Sequence, residues 1–399
     1  MIDMIIPSLW LIVLMAGLPH LSETVYAPSL PEIANALQTS HAMAEYTLTI
    51  YLLGFALGTL FWGRISDYIG RRPGVIAGLC IYAVGCIGCY HATTVTMLMA
   101  SRLVQAFGGS VGSVLVQAIM RDVFKGRALS KSFALLGMSV AFFPAMGPAI
   151  GGFMTDNLGW RSIFIFLIVS ALLLLCIVWY NLPETYKKVD KKAPAIMSIL
   201  YKFIYDAKII GLGFIVAATN GINFCYFAEG SFCLINVLGF SASQFGLTFL
   251  GVAGAAMLGG LTSRKLLNYY STAQVLQIGI LITVVTNSLF SVCIITNYLG
   301  YNFAKITLLI IFVIAQMVNT FCKALINANA LSLALRNYRW CTGTASSLFG
   351  FYYYCLTSLF TFGMAMLHNH TLLPMPLYFL AISVCLVFAQ STIKDKLVS

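Results

Sequence analysis

The sequence predicts an all-α membrane protein, with twelve transmembrane helices arranged in two pseudo-symmetric six-helix halves. Three observations predict this class: an apolar composition, apolar runs long enough to cross a bilayer, and basic residues confined to alternate loops. Hydrophobic residues make up 60% of the 399 residues and charged residues only 9%, whereas soluble domains have about 25% charged residues. A helix crosses the bilayer with about 20 apolar residues, and its backbone groups must bond within the helix. The chain therefore has room for twelve spans.

The apolar runs place these helices in two sets of six. The first set lies at about 8–30, 43–66, 73–92, 96–119, 130–155 and 160–182. The second set lies at about 207–235, 243–265, 272–297, 303–332, 341–367 and 373–392. Residues 183–205 form the longest polar segment between them. We therefore predict an N-terminal half at 1–182, a cytoplasmic linker at 183–205 and a C-terminal half at 206–399.

The placement of the basic residues predicts the orientation in the membrane. A net charge of +11 is compatible with nucleic-acid binding, but the charges fall in short clusters between apolar runs. Of the 23 Lys and Arg residues, 19 lie on one side of the predicted bundle: Arg64, Arg71, Arg72, Arg121, Lys125, Arg127, Lys131, Lys187, Lys188, Lys191, Lys192, Lys202, Lys208, Arg264, Lys265, Arg336, Arg339, Lys394 and Lys396. Because basic loops stay in the cytoplasm, we expect both termini there, a location in the bacterial inner membrane, and no nucleic-acid partner.

Neither a cofactor nor a metal site is predicted. Most of the eleven cysteines lie in apolar runs, where cysteine behaves as a small apolar residue, and no CxxC pair occurs. His368 and His370 lie in the last external loop, but a metal site needs more ligands than these two. No nucleophile, base or metal set converges as an enzyme would require, so the only energy source expected is a proton gradient.

The loop between the second and third helices carries a pattern of glycine, acid and arginine at residues 63–72. Gly63 lets two helices approach closely and Gly70 permits a tight turn, while Asp67 can pair with the arginines or with a neighbouring helix end. Such a loop would hold this side of the protein in one conformation; the alternative is an ordinary basic turn. The string closely resembles the conserved loop of the major facilitator superfamily, GxLaDrxGrk, matched at Gly63, Asp67, Gly70, Arg71 and Arg72.

A second pattern lies in the fifth helix, at residues 147–152. Gly147, Gly151 and Gly152 permit tight helix contact, and Pro148 removes a backbone hydrogen bond and bends the helix. The pattern resembles the antiporter signature of exporters in this superfamily, gxxxGPxxGG, with Phe143 in place of its first glycine.

Shorter motifs narrow the resemblance. Arg102, Gln105 and Gly108 in the fourth helix are similar to a third superfamily motif, RxxqGxg, with Ala106 in place of a glycine. The segments YAPSLP at 26–31 and MRDVF at 120–124 resemble the bicyclomycin/chloramphenicol-resistance branch of drug–proton antiporters. In the C-terminal half the resemblance depends on the helix pattern, since the equivalent loop at 260–265 keeps a basic pair but lacks the acid.

Four ionisable residues lie inside predicted spans: Glu23 in the first, Arg102 in the fourth, Glu229 in the seventh and Lys323 in the tenth. A charge within the bilayer is costly, so each is a candidate functional residue. The first and seventh helices are equivalent in the two halves, as are the fourth and tenth. The resemblance implies that these helices line a central cavity between the halves.

Glu23 is the predicted proton carrier, and it would also contribute to substrate binding. With Arg102 nearby, a changing distance between acid and base would couple protonation to the change of conformation. The antiporters that the chain resembles have their acid one position later, where this chain has Thr24. His20 lies three residues before Glu23 on the same helical face. It is either part of a proton relay or a hydrogen-bonded histidine without that role.

Glu229 and Lys323 are predicted either to form a static ion pair between helices seven and ten or to act on the substrate directly. Amide side chains on these two helices would either line a polar cavity or tie the helices together. The predicted cavity-lining residues are Tyr26, Gln105, Asn223, Gln316, Asn319 and Asn327.

The sequence therefore predicts a proton-coupled secondary transporter that exports a small organic molecule by alternating access. The substrate would be a drug-like compound, a metabolite or a siderophore, the other partners are protons and the lipid bilayer, and the expected state is a monomer. Uptake of a nutrient is the alternative among transporters, and the pattern in the fifth helix counts against it. A non-transporting membrane sensor on the same fold is a further alternative, and it would carry a soluble sensing domain.

Overall fold

The computed structural model describes the backbone at residues 7–186, 196–336, 338 and 342–398, with most of the side chains in these ranges. Within these ranges the chain forms twelve long helical spans in the predicted order. The first six are Leu9–Ala36, His41–Ile69, Arg71–Tyr90, Val95–Val123, Gly126–Leu158 and Arg161–Asn181. The next six are Ala207–Val237, Ala242–Leu266, Thr272–Tyr301, Lys305–Ala334, Thr342–Leu367 and Pro374–Val398. By their described residues, 11 of them are long and apolar enough to cross a membrane, which confirms the predicted fold class.

Side chains at the loop–helix junctions set where several spans begin. A hydroxyl that accepts a hydrogen bond from the first turn satisfies one of its unpaired N–H groups. Ser40 accepts from the Met43 N–H at 3.3 Å, and Thr94 accepts from the Met97 N–H at 3.2 Å. The eighth and ninth spans begin with full capping boxes, formed by Ser241 with Gln244 and by Ser271 with Gln274. Short polar loops therefore fix the register of long apolar helices.

The first and seventh spans are irregular near the same end of the bundle. In the first, the helix Leu9–Thr24 is followed by a 3-10 turn at Ala27–Ser29 and a short helix at Leu30–Ala36. Pro28 and Pro31 lack the N–H groups that a continuous helix would need there. In the seventh, the helix Ala207–Ser231 continues as a π-helix at Phe232–Val237. Glu23 and Glu229 each lie just before one of these irregular segments.

The two halves meet along two seams, with the second span packed against the eleventh and the fifth packed against the eighth. Large apolar side chains on the outside of the bundle, such as Phe153, Leu173, Leu289 and Phe388, are exposed, as expected for surfaces that face lipid. We call the end that carries Arg71 the basic end. The opposite end, which carries His41 and His368, is called the histidine end.

Part of the predicted linker is helical. Residues Ile196–Tyr205 form a short helix, and its Ile199 and Phe203 are buried. The linker lysines at 187, 188, 191 and 192 lie outside the described residues. The boundaries between the halves, at 182/183 and 205/206, stay predictions.

Candidate functional site

Glu23 lies one residue before the end of the helix Leu9–Thr24, and its side chain is 3% exposed. Its Oε2 is 3.2 Å from Nδ1 of His20, one turn earlier. Nε2 of His20 is in turn 3.4 Å from the hydroxyl of Ser113 in the fourth span. The other carboxylate oxygen, Oε1, has no hydrogen-bond partner among the described residues. One oxygen is therefore bound within the N-terminal half, and the other is available to a new partner.

The carboxylate of Glu23 also faces groups of the C-terminal half. Lys323 of the tenth span and the phenols of Tyr353 and Tyr354 of the eleventh lie within electrostatic range of it, without a direct ion pair. Lys323 is only partly buried and forms no ion pair with any residue that the structure describes. We call His20, Glu23 and Lys323 the central acid–base group. It contains residues from both halves of the protein.

Arg102 is enclosed by aromatic rings. Its guanidinium carbon lies 4.2 Å from the ring centre of Tyr26 and 4.1 Å from that of Tyr51, distances at which a cation is attracted to the ring faces. Its Nη1 donates to Oε1 of Gln105 at 2.7 Å. Within the described part of the chain Arg102 forms no ion pair with Glu23, and the predicted coupling through a changing distance between the two stays a prediction.

Glu229 is paired at the histidine end. Its Oε2 lies 2.8 Å from Nδ1 of His368, and the carboxylate of Glu45 in the second span lies within 4.8 Å. Of the two alternatives predicted for Glu229 and Lys323, the static ion pair does not form between these described residues. Glu229 lies eight residues before the end of its span at Val237, whereas Lys323 lies 18 residues after the start of its span at Lys305. These counts correspond to a difference in depth of about 15 Å at a rise of 1.5 Å per residue.

The amide side chains of the C-terminal half mainly connect helices. Oδ1 of Asn223 accepts from the Thr320 hydroxyl at 2.9 Å and from Nε2 of Gln316 at 3.2 Å. The remaining bonds run from Asn319 to Asn287 at 2.8 Å and from the Thr219 hydroxyl to Asn327 at 2.7 Å. They join the seventh, ninth and tenth spans. This arrangement agrees with the alternative in which these amides tie the helices together. In the N-terminal half, the hydroxyl of Tyr26 bonds Thr47 at 2.8 Å.

The loop at the basic end is organised around Arg71. Its Nη1 donates to Oδ1 of Asp67 at 2.7 Å, and its Nε donates to Oδ2 of Asp122 at 3.0 Å. The two oxygens of Glu184 accept from the backbone N–H groups of Arg71 and Arg72, at 3.0 and 3.1 Å. The partners described for Arg71 and Asp67 thus belong to the N-terminal half and to the first residues of the predicted linker. Asp122 and Glu184 were not among the predicted site residues.

The two glycines of this loop have different roles. Gly70 has a φ of +98°, which side chains other than glycine rarely adopt. A Cβ there would also lie 2.5 Å from a carboxylate oxygen of Glu184. Gly63 faces the other half, since a Cβ there would lie 2.6 Å from the hydroxyl of Ser347 in the eleventh span. Gly63 is therefore the member of this motif that allows the halves to meet closely.

The pattern in the fifth helix packs against the irregular part of the first span. A Cβ on Gly147 would collide with the side chain of Thr24, and one on Gly151 would collide with the carbonyl oxygen of Val25. Thr24 and Val25 directly follow Glu23. These two glycines therefore determine how closely the fifth helix approaches the segment that holds the acid.

The same helix also contacts the C-terminal half. Gly152 packs against the carbonyl oxygen of Ala242, and the carbonyl of Pro148 packs against Gly246. Near the histidine end, Asp156 accepts from the N–H groups of Ala242 at 3.2 Å and Ser243 at 2.8 Å, where a carboxylate is favourable at a helix start. The motif thus joins the fifth and eighth spans across the interface between the halves.

The histidine end contains two further residues, His41 and Glu45, that were not predicted from the sequence. Nδ1 of His41 lies 3.0 Å from Nε2 of His368, and Glu45 is 1% exposed beside Glu229. Glu45 was open to prediction, because it lies inside the predicted second helix and the rule for intramembrane charges applies to it. His41 was not, since its partners lie more than 300 residues away in the sequence. The prediction of no metal site considered only His368 and His370, and the fold adds His41 to them.

Comparison with known proteins identifies the family. The family model described as Major Facilitator Superfamily matches residues 12–362. The chain belongs to the Major Facilitator Superfamily. It is therefore a multi-pass membrane protein of a transporter family, as the loop at residues 63–72 predicted.

Similar proteins include an uncharacterized transporter of Rickettsia bellii, 34% identical over 94% of this chain and 93% of that protein. A bicyclomycin resistance protein homolog of Haemophilus influenzae is 27% identical over 84% of this chain and 83% of its own length. Among solved structures, a D-xylose–proton symporter superposes with a TM-score of 0.75 and 14% identity, covering 96% of each chain. The predicted resemblance to the superfamily and its drug-resistance branch is confirmed.

Proposed function

We propose that this transporter exports a small organic molecule across the bacterial inner membrane in exchange for protons, with Glu23 as the proton carrier. The observation that supports this most strongly is the environment of Glu23. One oxygen is bound to His20 and the other has no partner among the described residues, while Lys323 lies on the opposite half. A buried acid with an available oxygen can exchange a proton for another partner.

The alternation between partners would couple proton binding to conformational change. The charged carboxylate attracts Lys323 across the interface, and this attraction favours the conformation in which the halves are close. Protonation removes the charge and weakens the attraction, because a neutral acid is no ion-pair partner. A ligand or proton that binds one conformation better than the other shifts the equilibrium by its differential affinity. Substrate and proton would thus compete for the same carboxylate.

His20 would connect this acid to the fourth span. Its ring nitrogens face Glu23 on one side and Ser113 on the other, and imidazole can accept a proton at one nitrogen and release one at the other. His20 is therefore proposed as a relay residue. Arg102 has a different role in this proposal: it fixes the aromatic walls formed by Tyr26 and Tyr51.

The direction of transport and the orientation are part of the proposal. Relatives with resistance names, including the Haemophilus protein, support export, and so does the glycine–proline pattern in the fifth helix. The basic end would face the cytoplasm, with both termini there. The protein would act as a monomer and would need no cofactor besides the proton gradient.

A vesicle experiment tests export and the role of Glu23 together. Everted membrane vesicles that contain the wild-type protein should accumulate bicyclomycin or chloramphenicol when an inside-acid gradient is imposed. Glu23→Gln should accumulate neither above empty vesicles, since glutamine has no proton to exchange. Glu32→Gln is the matched control, because Glu32 is partly buried near the C-terminal end of the same span. Accumulation by right-side-out vesicles under an inward gradient would indicate uptake instead.

A further inference from the structure

Three histidines from distant parts of the chain converge at the histidine end. His41 begins the second span, and His368 and His370 follow the eleventh. Nε2 of His368 lies 3.0 Å from Nδ1 of His41 and 3.4 Å from Nδ1 of His370. All three candidate ligand nitrogens lie within 4.8 Å of one another. The two halves of the protein thus each contribute imidazole to one point.

These separations suit a tetrahedral metal ion. Zinc binds histidine nitrogen at about 2.0–2.1 Å, so neighbouring nitrogens in a tetrahedral site are about 3.3 Å apart. The observed 3.0 and 3.4 Å bracket this distance. Imidazole ligands favour zinc, copper and nickel, whereas magnesium and calcium prefer oxygen. The donor set therefore selects a divalent transition metal.

The groups around the histidines orient them for this purpose. Nδ1 of His368 bonds Oε2 of Glu229 at 2.8 Å, which leaves its Nε2 directed at the other two rings. A ligating histidine typically has such a carboxylate on its second nitrogen. The amide Nδ2 of Asn236 lies 3.4 Å from Nε2 of His41. With this amide turned over, its oxygen would accept from Nε2–H of that ring and leave Nδ1 for the metal.

A buried pair of carboxyl groups provides a second reason for a cation at this place. Glu45 is 1% exposed, and neither of its carboxylate oxygens has a hydrogen-bond partner among the described residues. It lies beside Glu229, itself fully buried, on the far side of His368. Two adjacent buried carboxylates are costly without a compensating positive charge. A metal on the opposite nitrogen of His368 would supply it.

We propose that His41, His368 and His370 bind a zinc-type divalent ion that bridges the two halves at the histidine end. His370 is exposed, so the fourth coordination position faces solvent. Because His41 belongs to the N-terminal half and the other two ligands to the C-terminal half, opening this end would break the site. The bound ion therefore stabilises the conformation in which the histidine end is closed.

Zinc titration of the purified full-length protein tests the proposal. After removal of metal with a chelator, ZnCl2 is titrated in competition with a chromogenic chelator. The wild type should bind one equivalent saturably. His41→Ala and His370→Ala should each lose it, and Glu229→Gln should weaken it about 10- to 100-fold, as loss of an outer partner usually does. The His91→Ala variant is the control, because His91 is exposed at the same end and lies outside the cluster.

Thermal unfolding provides a second readout that does not depend on transport. Zinc should raise the Tm of the wild type and of His91→Ala, and should leave that of His41→Ala unchanged, since the metal no longer joins the halves. The proposal is contradicted if the wild type has no saturable site, or if His41→Ala binds zinc as His91→Ala does. If stability depends on pH through these histidines but no zinc binds, the histidines bind protons alone. That result would also overturn the proposal.

Discussion

The protein contains two groups in which a buried carboxylate lies beside a histidine, and they differ in whether that histidine bonds the other half of the protein. In the central acid–base group, one oxygen of Glu23 has no partner among the described residues, and Lys323 across the interface forms no ion pair with it. At the histidine end, Glu229 bonds His368 directly, and His368 in turn meets His41 of the other half.

This difference separates a site that can exchange partners from one that holds two surfaces together. An acid with an available oxygen can bind a proton, a substrate or Lys323 in turn, at little structural cost. At the histidine end, side chains from both halves bond one another, and further bonds lie nearby, such as Thr49 to Thr361 at 3.1 Å and Ser358 to the Thr49 carbonyl at 3.0 Å. We therefore expect the two groups to respond differently to substitution.

The largest difference is expected between two isosteric changes. Glu23→Gln should abolish proton-coupled transport, because the exchangeable proton is lost. Glu45→Gln should keep the coupling, because Glu45 belongs to the histidine end, and it should weaken zinc binding. Transport in everted vesicles and zinc titration of the same two variants measure both effects. Loss of coupling in Glu45→Gln with coupling retained in Glu23→Gln would reverse the assignment.

A substitution in the fifth helix tests whether the central group depends on packing. Gly151→Ala places a methyl group against the Val25 carbonyl, so the segment after Glu23 must move. Such overpacking costs about 1–3 kcal/mol, and it should slow transport while zinc binding persists. Gly137→Ala is the control in the same helix, because a Cβ there meets no described atom within 4 Å. Thermal unfolding in detergent compares the two; equal stabilities would show that this contact does not constrain the helix.

The basic end should be independent of both groups. Arg71→Lys removes the planar guanidinium that reaches Asp67 and Asp122 together, and a hydrogen bond to a charged group is worth about 1.5–3 kcal/mol. We expect a loss of stability of that order at most, with zinc affinity unchanged. Chemical unfolding and zinc titration measure the two quantities. A changed zinc affinity would show that the basic end is coupled to the histidine end.

The smallest effect is expected from a single bond across the interface. Thr49→Val removes the hydroxyl that bonds Thr361, a loss of about 0.5–1.5 kcal/mol. Backbone amides near residues 36–46 should then exchange hydrogen faster, because the histidine end opens more often. Added zinc should reverse this increase if the metal bridges the halves. If exchange is faster but zinc does not slow it, the Thr49–Thr361 bond and the histidine cluster act independently.

Much of the fold and part of the site follow from the sequence. Apolar runs located the spans, since the bilayer imposes their length. The pattern at Gly63–Arg72 identified the superfamily. The Glu229–Lys323 ion pair, one of two alternatives predicted for these residues, does not form because the two residues lie at different depths on their helices. Counting residues from the helix ends separates Glu229 from Lys323. Counting residues could not predict the contact of His41 with His368, because this contact depends on how the two halves dock.

The central claim is that Glu23 exchanges its proton for substrate. The most direct measurement is proton release by the purified protein in weakly buffered detergent when bicyclomycin or chloramphenicol is added, followed with a pH-sensitive dye. We predict release from the wild type and from Glu45→Gln, and none from Glu23→Gln. Release that persists unchanged in Glu23→Gln would contradict the claim and would assign the exchanged proton to another group.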